Sequence, residues 1–120
     1  MRRVNEEDID FDETEMVFYE GEPFTGEVVE TDRAGNIVAA VAYNQGYRHG
    51  PWREWHSNGN LLIEGRVEFG KGPVGTWKKW HKNGALAEER RFDDHGRTLS
   101  IREWDENGAL TVDEAYSKPV

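Results

Sequence analysis

Two segments of the chain, GPWREWHSNGNLLIE from Gly50 and GTWKKWHKNGALAEE from Gly75, share the frame G-x-W-x-x-W-H-x-N-G-x-L with its spacing intact. A phrase repeated at this interval is the signature of an array in which each unit covers its neighbour. Fainter copies flank the pair. The turn glycines fall at Gly35, Gly59, Gly84 and Gly108, at steps of 24, 25 and 24 residues, each followed two places on by Ile37, Leu61, Leu86 or Leu110. Upstream, one column reads Val28, Trp52, Trp77, Ile101 and a second reads Thr31, Trp55, Trp80, Trp104. A closing apolar position follows at Tyr43, Val67, Phe92 and Tyr116. The outer copies are the degenerate ones, as end caps are.

Each unit reads as a β-hairpin. Asn58-Gly59, Asn83-Gly84 and Asn107-Gly108 stand between a Trp-bearing run and an apolar run, and Asn-Gly favours a tight turn in which both residues adopt positive φ. The links NQGYRHG, FGKGPVG and DDHGR are glycine-rich too, so turns stand at both ends of every strand. ALAEERR, from Ala85, has high helix propensity, but its equivalents IVAAVAY, LLIEGRV and LTVDEAY are rich in β-branched residues, which makes strand the consistent assignment. The expected fold is therefore all-β, a single-domain antiparallel meander of about four hairpins. Residues 1–18 form an acidic N-terminal segment outside the pattern, and residues 19–120 the repeat domain.

Strand alternation places Ile37, Ala39, Val41 and Tyr43 on one face, and likewise Leu61, Ile63, Gly65 and Val67. Trp52 and Trp55 are an odd number apart. Unless a bulge intervenes, one Trp column lines the inner face and the other stands partly exposed. Stacked packing ladders are one reading of these columns. The other takes Trp55, Trp80 and Trp104 as an aromatic contact surface for a protein partner, since Trp is enriched in interface hot spots.

The charge is confined to one end. Residues 1–32 carry twelve acids against Arg2 and Arg3, a net −10, whereas the rest of the chain is at +1 and the whole at −9. Such a block repels nucleic acid and anionic lipid and attracts a basic partner; its plainer use is solubility. The acids singled out for partner binding are Asp8, Asp10, Asp12, Glu13, Glu15, Glu20 and Glu22. Asp8, Asp10 and Asp12 also begin a D-x-D-x-D pattern, but a calcium loop needs Gly where Glu13 stands and Glu where Tyr19 stands. His56 and His81, on strands two apart, lie about 10 Å from each other, too far to share a metal ion, and read as surface residues following the turns. No metal or cofactor is expected.

There is no cysteine, so disulfides, thiolate zinc sites and a cysteine nucleophile are excluded. No nucleophile motif or phosphate loop is present, and an enzyme is not expected. With no apolar leader and no membrane-spanning run, the expected location is the cytoplasm.

The motif residues Gly50, Trp52, Trp55, Asn58, Gly59, Leu61 and Glu64, then Gly75, Trp77, Trp80, Asn83, Gly84, Leu86 and Glu89, then Trp104, Asn107, Gly108 and Leu110 resemble the MORN-repeat variant of the YwqK-like family of bacterial antitoxin or immunity proteins. The likeness spans about residues 19–116; the first copy departs from it, with Val28 and Thr31 in place of both Trp. The resemblance implies a repeat sheet and protection against a cognate toxin, whose basic cleft the acids would occupy. A structural scaffold or adaptor for other proteins is the alternative. The expectation is no direct nucleic-acid or membrane partner, and a monomer is favoured over a homodimer. Both terminal strands leave an edge open to pairing, with Pro119 near the last one.

Overall fold

The computed structural model describes residues 2–116. Twelve strands succeed one another: β1 (Arg3–Asn5), β2 (Ile9–Phe11), β3 (Val17–Tyr19), β4 (Glu22–Pro23), β5 (Gly26–Thr31), β6 (Ile37–Asn44), β7 (Tyr47–Trp55), β8 (Leu61–Glu68), β9 (Gly72–Trp80), β10 (Leu86–Phe92), β11 (Thr98–Trp104) and β12 (Leu110–Ala115). Strands β5 to β12 lie side by side in chain order, each antiparallel to the next, which makes four hairpins of one sheet. The meander follows the sequence period, and the ALAEERR segment lies in β10.

The N-terminal segment is part of the fold. β1 extends the sheet beside β5 in parallel register, Arg3 opposite Glu27, so the sheet has one parallel pair where a wholly antiparallel one was expected. β2, β3 and β4 form a second, three-stranded sheet, and the expected boundary after residue 18 falls inside β3. The reason is apolar: Val4, Val17, Phe24 and Val28 bury together, with Ile9, Tyr19 and Tyr43 packed around them. The acidic segment thus supplies Val4 and Val17 to this cluster and packs Ile9 against it. Pro119 lies outside the described residues. Among the described residues no helix is long and apolar enough to cross a membrane.

The hairpin turns differ from the expected geometry. Gly59 N–H donates to the His56 carbonyl (3.0 Å) and His56 N–H to the Asn60 carbonyl (2.8 Å), closing a three-residue loop. Only the glycine takes positive φ, +89° at Gly59 and +90° at Gly84, while the asparagines do not. This is a turn of the common type followed by one left-handed residue, which glycine adopts without the Cβ clash other residues meet. The two-residue turn with both φ positive occurs instead at Gln45-Gly46 (φ 51° and 88°), between hairpins, and at Glu20-Gly21 (φ 51° and 83°).

Every hairpin also carries a bulge at one place. Glu54 pairs with Ile63 but Trp55 with Leu61, leaving Leu62 unmatched; Val38, Ala87 and Thr111 are left over in the same way in the other three. The bulge lies on the return strand, so Ile37 and Leu61 do not continue the alternate-residue rows of Ala39 and Ile63, and the faces expected for them are corrected. From Trp52 to Trp55 the alternation holds, although β7 is irregular just before it, where Val41 pairs with Trp52 but Tyr43 with Arg48. Arg53 stacks over Trp55 at 5.6 Å on one face, whereas Trp52 on the other face donates Nε1–H to Glu54 (2.9 Å).

Candidate functional site

The second sheet and the N-terminal turn stand over one end of the face that carries Trp52. Beneath them lies an open concavity of about 450 Å³, floored by Val28, Val41, Tyr43 and Trp52. A second concavity of about 500 Å³ adjoins it and shares Arg48, Trp52 and Glu54, then runs on to Trp77, Arg90 and Phe92. Together they form one trough across β5 to β10.

Its aromatic floor depends on an absence. The Trp77 ring lies against the backbone at Gly65, where a Cβ would come within 2.0 Å of the ring, and its Nε1–H reaches the Arg66 carbonyl (3.1 Å). Trp52 and Trp77 then meet at 6.0 Å between ring centroids, tilted by 57°. Arg48 stacks over Trp52 at 5.1 Å. Phe11, 73% exposed, lines the first concavity and adds apolar surface to it.

The electrostatics differ along the trough. Glu6, Glu15, Glu30 and Glu54 line the first concavity, and among the described residues none of the four is within ion-pair distance of a cation. At the far end Glu88 is already neutralised by Lys79 (3.6 Å) and Arg90 (3.1 Å). The result is an apolar floor with an acidic end, four carboxylates against the one guanidinium of Arg48.

The acids expected to bind a partner are spread over different roles. Glu15, held at φ 64°, lines the trough. Asp12 caps the turn between β2 and β3: its carboxylate accepts from the Thr14 hydroxyl (2.6 Å) and the Thr14 and Met16 amides, bonds that hold its pKa below the usual carboxylate range. Asp93 does the same between β10 and β11, its pKa lowered first by the Arg97 amide. Glu20 occupies a left-handed turn position, and Asp8, Asp10, Glu13 and Glu22 are exposed around the second sheet. Glu6, Glu30 and Glu54, which line the cleft, were not singled out from sequence.

The two Trp columns divide the labour. Trp52 and Trp77 line the trough. Trp55, Trp80 and Trp104 are half-buried; Trp55 borders a separate concavity of about 390 Å³ between the first two hairpin turns. Trp80 and Trp104 are also stations in a lateral bond network. His56 Nε2 donates to the Trp80 carbonyl and His81 Nε2 to the Trp104 carbonyl, both at 2.8 Å, which fixes the proton on Nε2. Asn58 and Asn60 donate to the Lys82 carbonyl, and Asn83 to the Glu106 carbonyl. The histidines are thus half-buried ties between repeats, not free surface groups. The bond could have been sought in the sequence only as a reason for His to recur at a 25-residue step.

The profile of the family described as MORN repeat variant matches residues 48–67 and 73–94, nearly the whole of the second and third hairpins. Over those residues the chain is similar to the MORN repeat variant, and the first and fourth hairpins share the same turn and bulge. No curated protein and no solved structure matches the chain.

Proposed function

We propose that this protein works by binding, not catalysis, as a cytoplasmic immunity protein or antitoxin that occludes the basic substrate-binding cleft of a cognate toxin. The observation that supports this is the pairing of an aromatic floor with four carboxylates, Glu6, Glu15, Glu30 and Glu54, at one end of the trough. Carboxylates in an apolar setting favour a cation that arrives already attached to apolar surface, as in the wall of a nuclease-like cleft. The net charge of −9 adds steering. A scaffold or adaptor function is the second reading, favoured by the match to a repeat family whose motif encodes architecture.

The test uses the product of the adjacent gene as the partner. Inhibition predicts survival of cells expressing both proteins, and an association rate that drops about tenfold between low and physiological salt. A variant with all four carboxylates changed to Gln loses that salt dependence, whereas Trp52→Ala raises the dissociation rate. Binding without protection of the cells would select the scaffold. Equal association rates for wild type and the Gln variant at low salt would remove the acidic end from the interface.

A further inference from the structure

The face opposite the trough carries a row of charges that alternates in sign from strand to strand. Cross-strand pairing aligns Arg53 with Glu64, Glu64 with Lys78, Lys78 with Glu89, Glu89 with Arg102 and Arg102 with Asp113. Beyond Arg53 the row crosses β6 at the uncharged Ala40 and resumes on β5, where Glu27, 6% exposed, lies 3.6 Å from Arg53 and accepts from Arg3 Nε at 2.8 Å. Opposite charges directly across a sheet stabilise the pair, and like charges oppose it, so such a row favours one register of neighbours. It begins with a cation on β1 and ends with an acid on β12.

β12 is the last strand of the sheet, and among the described residues nothing pairs with its outer side. Tyr116 N–H donates inward to the Leu99 carbonyl (2.9 Å). By the alternation of an antiparallel ladder, the N–H and C=O groups of Asp113 and Ala115 point outward. Leu110, 50% exposed, stands at the start of the same strand.

We propose that this edge takes up one further strand, an extended segment of a partner protein running antiparallel to β12 with a basic residue across from Asp113. The segment supplies Lys, Arg and Val opposite Glu114, Asp113 and Val112. That order continues the charge row on one face and sets a cation and an apolar group against Glu114 and Val112 on the other. Main-chain bonds supply affinity and the alternating side chains select the sequence. A second copy pairing about a twofold axis at Asp113 would set acid against acid.

The probe is an acetylated heptapeptide with Lys-Arg-Val at its centre, titrated against the full chain and followed by peptide fluorescence anisotropy. Replacing the central Arg with Glu weakens binding about tenfold, and Asp113→Arg in the protein reverses that preference. N-methylation of the amides that would bond to β12 abolishes binding. Equal affinity of the Arg and Glu peptides, indifference to N-methylation, or no saturable binding at millimolar peptide overturns the proposal. So does a dimer, seen by light scattering, that Asp113→Pro dissolves by removing the outward N–H, because the edge would then belong to a second copy.

Discussion

The first hairpin and the last are built on the same register yet are held together differently. Around β5 and β6, Phe24, Val28, Val29, Ala40 and Ala42 are all at most 8% exposed, and a second sheet covers part of one face. In β11 and β12 no residue is buried, and the hairpin is a single layer between solvent on both faces. Its contacts are the cross-strand pairs with β10 and the ties that His81 and Asn83 send into its turn. One molecule thus combines a small two-layer core with an array stabilised by nearest neighbours. In such an array stability falls toward the uncapped end.

Removing the core should erase that gradient. Phe24→Ala deletes a side chain 2% exposed that packs edge-on against Tyr19 at 6.0 Å, and the expected loss is about 3–5 kcal/mol in urea unfolding. A loss below about 1 kcal/mol would mean that the repeats stand without the N-terminal packing. A smaller effect is expected in the middle of the array. Gly65→Ala forces the Trp77 ring off the backbone, at about 1–3 kcal/mol, with a change in tryptophan emission that Phe24→Ala does not share. The smallest effect sharpens the comparison at the far end. His81→Ala removes one tie and should cost about 0.5–1.5 kcal/mol, with faster amide exchange in β11 and β12 and none in β5 and β6. Asn107→Ala, at the equivalent of Asn58 but with no repeat beyond it, should stay within about 0.5 kcal/mol of wild type; equal losses in the two variants would show that the ties do not stabilise the array.

The period, the four hairpins and the strand identity of ALAEERR are local properties repeated in the chain, and the sequence carries them openly. The pairing of β1 with β5 does not repeat. Arg3 and Glu27 are 24 residues apart with no pattern to align them, so an acidic stretch read as an appendage proves to supply Val4 and Val17 to the core. The turn geometry escaped because Asn-Gly suits more than one loop length, and the bulge at Leu62 decides between them. The trough escaped for a related reason. Alternation separates Trp52 from Trp55, but only the placement of the second sheet, and the bare backbone at Gly65, makes the Trp52 face the concave one.

The ties from one hairpin turn to the next all run one way, from a side chain in the earlier turn to a main-chain carbonyl in or beside the later one. Every residue has a carbonyl, so the receiving unit needs no matching side chain. A duplicated hairpin inserted between two others would bring its own donors and find acceptors already in place, whatever sequence its neighbour had. The bond thus works as a one-sided coupling, and it makes the length of the array free to change by whole units, while the first hairpin, with Asp32 where the next two have His, marks where the coupling starts.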